Sequence, residues 1–194
     1  MRYLVKFLMP VLLLITLPAS AADITSLAQC ATKVFKEINR TQKWTGQAPA
    51  GCPAQVAVEK RADGIFITVW AVEPAADGWV RTAFSAAAGY AEIADKKALA
   101  KAASDIMARA GRLGRCLDSI KTVNDPRECR SRATKSYLAG EVTGTENDRI
   151  IRLDDNGRHT VVQYSFGDTS ATPTPPADLY ESTPLPPMII DLHR

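Results

Sequence analysis

The fold of this chain is decided by residues 95–121, which read DKKALAKAASDIMARAGRLGRCLDSIK. The apolar side chains of this stretch recur at steps of three and four residues: Leu99, Ala102, Ile106, Ala110, Leu113, Leu117 and Ile120. This spacing places them on one face of a helix. Five basic residues lie mostly off that face: Lys97, Lys101, Arg109, Arg112 and Arg115. The pattern predicts a long amphipathic helix that packs on a sheet and turns a basic face to water.

The first 21 residues have the pattern of an export signal. Arg2 and Lys6 precede an apolar run over 7–17, and Ala-Ser-Ala at 19–21 is a small-x-small cleavage site. The run is about half as long as a bilayer-spanning helix requires. We therefore expect a periplasmic or secreted protein, released by cleavage near Ala21. Without the signal, 22 basic residues face 21 acidic residues, so the exported chain is nearly neutral.

All four cysteines follow the cleavage site: Cys30, Cys52, Cys116 and Cys129. An even number of cysteines in an exported chain predicts two disulfides, with three pairings open. The pairs Cys30–Cys52 and Cys116–Cys129 are favoured because each would tie a helix to the segment shortly after it. Zinc is the competing interpretation, but the chain has no C-x-x-C spacing and an oxidising compartment opposes it. We expect neither a metal nor a cofactor.

Helical spacing also marks the segment after the signal, at Ile24, Leu27, Ala31, Val34, Phe35 and Ile38. Residues 54–86 then predict an antiparallel meander of three strands. Asp63-Gly64 is a hairpin turn signal, and the run 65–72 is apolar on both faces, as in a central strand covered on both sides. The third strand is expected at 79–84, and the alanine-rich residues 86–91 are expected to lead into the long helix.

A second meander is predicted after the long helix. Residues 137–142 are a strand candidate, and 149–153 with 159–166 form a hairpin around Asn156-Gly157. The predicted fold class is α+β, an antiparallel sheet of about six strands in two meanders, packed by the long helix and the N-terminal helix. Because Leu-x-x-Cys occurs in both helices, an internal duplication is an open interpretation.

The composition changes from residue 168 onward, where six of the twelve prolines fall. No periodicity survives there, which predicts a Pro-rich flexible tail over 169–194 after a single domain over 22–168. Residues 188–190, Met-Ile-Ile, are an exception. Such a short apolar segment can add to a sheet edge or dock on a partner.

Common catalytic motifs are absent from the sequence. Its two histidines, His159 and His193, have no motif around them, although acid–base chemistry near neutral pH most often uses histidine. There is no metal-binding histidine pair, nucleophile elbow or phosphate-binding glycine loop. Cysteines paired in disulfides cannot act as nucleophiles. We therefore expect no catalytic residue and no enzymatic activity.

Two groups keep other interpretations open. Trp70 and Trp79 form either a ligand-stacking pair or, as strand aromatics more often do, part of the packing. A pair of carboxylates can meet in space as in sugar-cleaving enzymes. Four acidic residues lie near predicted element ends: Glu73, Glu92, Asp95 and Glu141.

Local charge is the remaining positive signal. Between residues 96 and 135, eleven basic residues face four acidic ones. The five basic residues of the long helix are therefore the candidate binding surface, and an ordinary solvated helix face is the competing interpretation. Nucleic acid is not an expected partner, because no basic–aromatic alternation accompanies the charge and the compartment is wrong.

The leading hypothesis is a non-catalytic protein-binding module of the cell envelope. It would act as an inhibitor or immunity-like protein, or as a secretion or assembly accessory. The expected partner is another envelope protein, with peripheral contact to an anionic surface as a further expectation. The alternative is a carboxylate-based hydrolase acting on cell-wall material, which converging acids in a deep cleft would favour.

Overall fold

The structure is a computed structural model that describes residues 23–52, 55–120, 139–145, 148–154, 160–168 and 187–193. Its helices are α1 (Ile24–Thr41), α2 (Tyr90–Ala94) and α3 (Lys96–Ile120). Its strands are β1 (Lys43–Trp44), β2 (Gln55–Lys60), β3 (Gly64–Ala75), β4 (Gly78–Gly89), β5 (Ala139–Thr145), β6 (Asp148–Asp154), β7 (Val161–Asp168) and β8 (Met188–Ile189). No helix in these ranges is long and apolar enough to cross a membrane.

The main sheet has six antiparallel strands in the order β2-β3-β4-β7-β6-β5. The strands β2 to β4 form one meander and β5 to β7 the other, and the pairing of β4 with β7 joins them. The α+β class and the sheet of about six antiparallel strands are confirmed. Each meander follows a helix in the chain, α1 or α3, which is the order a duplication requires.

The two long helices, α1 and α3, begin at aspartates. Asp23 accepts a hydrogen bond from the backbone N–H of Thr25 at 3.1 Å, and Asp95 accepts from the N–H groups of Lys97 and Ala98 at 2.9 and 2.7 Å. Such side chains satisfy donors that the first turn of a helix leaves open. The predicted helix over 95–121 is therefore confirmed as α3, with Asp95 at its N-cap.

The α1 and α3 helices pack against each other and against one face of the sheet. The predicted stripe of α3 is buried at Leu99, Ile106, Ala110, Leu113 and Leu117. These side chains share one core with the apolar stripe of α1 and with the strand residues Val58, Ile65, Ile67, Val69, Phe84, Leu153 and Val162. Burial of this common face is the main stabilising contribution to the fold.

The other face of the central strands is also buried, but it is partly polar. The Thr68 and Ser85 hydroxyls are hydrogen-bonded across β3 and β4 at 2.9 Å, and Arg81 Nη2 donates to Ser165 Oγ at 2.9 Å. Residues 64–70 of β3 are buried throughout, as a strand covered on both sides requires. Burial ends there, and Val72 is 38% exposed.

The end of β4 differs from the expectation. The strand continues past Phe84 to Gly89, and α2 follows before α3 begins. Ala86 and Ala88 face the same core as Phe84, so the alanine-rich residues provide small side chains beneath the helices. The sequence does not show that the strand continues, because Ser85 and Ala87, which alternate with the core-facing residues, are also small.

One of the two predicted disulfides is observed. Cys30 of α1 is bonded to Cys52, in the loop that leads to β2, with a Cα–Cα distance of 5.3 Å. No cysteine is free among the described residues, Cys116 included. Cys129 lies outside those residues, so its pairing with Cys116 stays a prediction.

The C-terminal residues 187–193 pack on the domain. Strand β8 pairs with β1, with Met188 opposite Trp44, and the backbone N–H of Ile190 donates to the carbonyl of Gln42 at 2.8 Å. Ile190 and Leu192 are buried in the same core as α1. The short apolar segment therefore adds as a strand next to the end of α1. Residues 169–186 of the predicted flexible tail and the predicted export signal at 1–21 lie outside the described ranges.

Candidate functional site

The five residues of the predicted binding surface differ in their exposure. Lys97, Lys101 and Arg115 are exposed, whereas Arg109 and Arg112 are half-buried. Lys101 and Arg115 are fourteen residues apart on α3, which corresponds to about 21 Å along a helix at 1.5 Å per residue. The surface thus divides into two lysines near the start of α3, one arginine near its end, and two arginines that turn partly inward.

The start of α3 adjoins the end of α1. Asn39 Nδ2 donates to the carbonyls of Ile93 and Ala94 at 2.6 and 3.2 Å, just before α3 begins. At the other end, a Cβ on Gly114 would lie 3.5 Å from Ile24 at the start of α1. The two helices are therefore antiparallel, and the last turns of α1 lie beside the first turns of α3.

Both of the helix segments that adjoin here carry exposed basic residues. We define the helix-end basic surface as Lys36, Arg40, Lys96, Lys97 and Lys101, all of which are exposed. Three acidic residues lie in the same segments, Glu37, Glu92 and Asp95, so the cations exceed the acids by two. The partial positive charge at the N-terminus of α3 has the same sign. Lys36 and Arg40 were not predicted as part of a binding surface, because the sequence does not show which helix end lies next to them.

A separate cleft of about 370 Å³ lies where the start of β3, the end of β4, α2 and α3 come together. Among the described residues, the charged ones that line it are Arg61, Asp63, Glu92 and Arg109, and Gly64 and Gly89 also line it. Of these four, Arg109 belongs to the predicted surface and Glu92 is one of the predicted candidate acids. Their meeting with Arg61 and Asp63 could not be predicted, because it depends on the β3–β4 pairing and the packing of α2.

Arg61 is held in place on one side of the cleft. Its Nε and Nη2 donate to the two carboxylate oxygens of Glu59, each at 3.3 Å. Its guanidinium carbon also lies 4.2 Å from the centre of the Phe66 ring, which is a cation–π distance. The bidentate pair and the ring together limit the rotamers that Arg61 can adopt.

The opposite wall is formed by α2 and α3. Arg109 Nη1 donates to Thr160 Oγ1 at 3.5 Å, and Thr160, the residue before β7, is fully buried. Glu92 Oε2 accepts from the backbone N–H of Gly89 at 3.0 Å. Because Glu92 is otherwise exposed, its carboxylate is fixed at one oxygen and open to solvent.

The floor of the cleft requires glycine at residue 64. A Cβ there would collide with the carbonyl oxygen of Ala88 and lie 2.8 Å from the Cα of Gly89. The close approach of the two strand ends also allows the N–H of Tyr90 to donate to the carbonyl of Asp63 at 3.2 Å. The floor is therefore backbone rather than side chain.

The two strand tryptophans pack on the sheet. Trp70 is 6% exposed and clusters with Ala83 and Val161, and Trp79 lies over Gly167, where any side chain would overlap its ring. These contacts are those of packing residues rather than of a stacking pair that faces solvent.

The three candidate acids whose side chains the structure describes, Glu73, Glu92 and Asp95, lie in different places. Asp95 caps α3, Glu92 lies in the cleft, and the side chain of Glu141 is outside the described part. Glu73 lies near Tyr164. Burial, with a further contribution from the charge of Glu73, raises the pKa of Tyr164 above its usual value of 10.0, so its phenol is protonated at neutral pH.

Within the described ranges, no three histidine, cysteine or acidic side chains come together as metal ligands. His193 is exposed near the terminus, and His159 lies outside the described residues. Comparison with known proteins adds nothing to these observations, since no family model, curated protein or solved structure matches the chain.

Proposed function

We propose that this chain is an exported, non-catalytic protein-binding module of the cell envelope that binds an acidic surface of another envelope protein. The helix-end basic surface is the observation that carries this proposal. An inhibitor or immunity-like protein and a secretion or assembly accessory are the two specific versions. The Cys30–Cys52 disulfide supports the proposed export to the cell envelope, because disulfides persist in oxidising environments.

The basic surface is built on rigid elements. Asn39 joins the end of α1 to the carbonyls before α3, and Asp95 fixes the first turn of α3. Single exposed charges contribute little binding energy. A cluster of them on fixed helices attracts an acidic partner over a distance of about a Debye length, which is about 8 Å at physiological salt. Binding through this surface should therefore weaken as salt rises.

Two charge-reversed variants on the same helix test the proposal. Lys101→Glu lies in the helix-end basic surface, whereas Arg115→Glu makes the same change in charge near the other end of α3, and both residues are exposed. Each tagged protein would be used for capture from envelope extract at low and high salt, with captured proteins identified by mass spectrometry. We expect one specific acidic partner, lost with Lys101→Glu and at high salt but retained with Arg115→Glu. Equal loss with both variants, or no partner for the wild type, would refute the proposal.

Contact with an anionic membrane surface would use the same lysines. Flotation with vesicles containing anionic lipid tests whether the basic surface binds lipid phosphate rather than an acidic protein. If wild-type protein floats with the vesicles at low salt and Lys101→Glu does not, the partner is lipid phosphate and the protein partner is excluded as the primary ligand.

A carboxylate-based hydrolase is the second candidate, because Asp63 and Glu92 both line the cleft. In this case purified wild-type protein should release soluble fragments from cell-wall material, and Asp63→Asn or Glu92→Gln should abolish the release. If the wild type releases no fragments, the hydrolase candidate is rejected.

A further inference from the structure

We infer that the outer edge of β2 is an interface between two copies of this chain, which pair their β2 strands antiparallel across a two-fold axis. The inference goes beyond the proposed function and is independent of it, because it uses no residue of the helix-end basic surface. Two observations carry it: the direction of the backbone hydrogen-bonding groups along β2, and the register in which this strand fits a second copy of itself.

The β2 strand lies at one end of the six-stranded sheet. Within the ranges that the structure describes, only its inner edge is paired, with β3. The pairing runs over six consecutive positions, from Gln55 opposite Trp70 to Lys60 opposite Ile65, and neither a proline nor a bulge interrupts it. A regular strand edge without such features is a template for another strand.

The backbone groups that point out of the sheet can be identified from the β2–β3 turn. The N–H of Arg61 donates to the carbonyl of Gly64 at 2.8 Å, so these two opposed residues form a hydrogen-bonded pair. Such pairs alternate with non-hydrogen-bonded pairs along antiparallel strands. The odd-numbered residues of β2 therefore direct their N–H and C=O groups toward β3, and the even-numbered residues direct them outward. The outward residues are Val56, Val58 and Lys60.

This edge is complementary to itself. When Val58 lies opposite Val58 of a second copy, Val56 lies opposite Lys60 of that copy at each end of the interface. Every opposed pair of outward residues is then a hydrogen-bonded pair, so the N–H and C=O groups of all three residues on both strands find partners. Two-fold interfaces of this self-complementary kind are the commonest in homo-oligomers.

The charges of β2 select the same register. With Val58 at the centre, Glu59 lies opposite Ala57 of the second copy. Displacing one strand by two residues in one direction would place the two Glu59 carboxylates opposite each other, and like charges directly opposite destabilise a strand pair. Displacement in the other direction would leave Lys60 without an outward residue of β2 opposite it. Only the register centred on Val58 uses every outward group and keeps the carboxylates from facing each other.

Amide hydrogen exchange followed by NMR at low and high protein concentration tests the interface in the wild type. The outward N–H groups of Val56, Val58 and Lys60 should exchange at least tenfold more slowly at the high concentration, because they donate to the second copy there. The N–H groups of Ala57 and Glu59 should be protected already at the low concentration, since they donate to β3 in the single chain. Interfaces below about 1,200 Å² are typically transient, so we expect a dimer that dissociates on dilution.

Two substitutions at one position separate the backbone from the side chain. Lys60→Pro removes an outward N–H donor from each copy. It removes no bond to β3, because Lys60 and Ile65 form a non-hydrogen-bonded pair. Lys60→Ala shortens the side chain but keeps the N–H. In sedimentation equilibrium, we expect Lys60→Pro to raise the dissociation constant of the dimer at least tenfold and Lys60→Ala to change it less than threefold.

Several outcomes would overturn the inference: a chain that stays monomeric at millimolar concentration, a dimer in which the three outward amides exchange as fast as in the monomer, or equal dissociation constants for the two variants. Oligomers that grow beyond two copies would also overturn it, because β2 would then pair with a different edge, such as that of β5, in an arrangement that does not close. If Lys60→Pro fails to fold, the exchange pattern of the wild type decides. Partner capture by the helix-end basic surface does not depend on any of these results.

Discussion

Ile190→Ala should destabilise the protein far more than Ile189→Ala. The two substitutions remove the same carbon atoms from neighbouring residues, but Ile190 is 0% exposed and Ile189 is 76% exposed. Ile190 lies in the core that also contains α1, whereas the Ile189 side chain faces solvent. The pair therefore isolates the contribution of the C-terminal segment to the core.

The expected loss for Ile190→Ala follows from the burial. Removing the buried carbons costs about 0.8 kcal/mol each in transfer free energy, and the cavity left behind adds to this. We expect a decrease in the free energy of unfolding of about 3 kcal/mol, within the range of about 2–5 kcal/mol for isoleucine to alanine in cores. An exposed substitution such as Ile189→Ala should change it by less than about 0.5 kcal/mol.

Urea unfolding followed by tryptophan fluorescence measures both changes, because Trp44 is buried next to β8. At an m-value of about 2–3 kcal/mol/M, the midpoint for Ile190→Ala should fall by about 1–1.5 M with an unchanged slope. Equal midpoints for the two variants would show that residues 187–193 do not pack on the domain in solution, and the proposed strand pairing would be wrong.

Three further stability predictions follow from local geometry. Replacing Cys30 and Cys52 together by alanine should lower the free energy of unfolding by about 3 kcal/mol, since the bridge closes a loop of 22 residues; a loss below about 1 kcal/mol in a thermal melt would contradict this. Gly114→Ala should raise the free energy of unfolding by about 1 kcal/mol, because alanine favours the helix and its Cβ would lie in ordinary contact with Ile24. A lower midpoint of urea unfolding than that of the wild type would refute the antiparallel packing of α1 and α3. Gly64→Ala should lower the free energy of unfolding by about 2–3 kcal/mol, because the new methyl group collides with the neighbouring strand backbone. An unchanged melting temperature would contradict the close approach of the β3 and β4 backbones at the floor of the cleft.

Local patterns were sufficient for most elements. The helical stripes gave α1 and α3, and the Asp-Gly and Asn-Gly turns gave the strands on either side of them, because periodicity and turn chemistry act over a few residues. The pairing of β4 with β7 depends on residues about eighty positions apart, such as Arg81 and Ser165, and no local signal specifies it. The extension of β4 to Gly89 was missed for a different reason, since alternating alanines show no contrast between faces.

The candidate sites were predictable only in part. Charge alone found the basic residues of α3, but it could not separate exposed Lys97 from half-buried Arg109. Burial depends on how the helix is rotated against the sheet. The cleft could not be predicted from the sequence, because Arg61, Glu92 and Arg109 come from the β2–β3 turn, α2 and α3 and have no common spacing.

The joint between the two meanders has a consequence for the order of folding. The hydrogen-bonded pair Arg81–Ser165 spans 84 positions, whereas the Thr68–Ser85 pair within one hairpin spans 17. Closing the longer loop costs about 1.4 kcal/mol more chain entropy, so the N-terminal hairpins should form while the edge of β4 still lacks its neighbour. An unpaired strand edge can pair with another chain. The edge of β4 stays open to other chains until β7 pairs with it. The yield of refolded protein should therefore fall as the protein concentration during refolding rises.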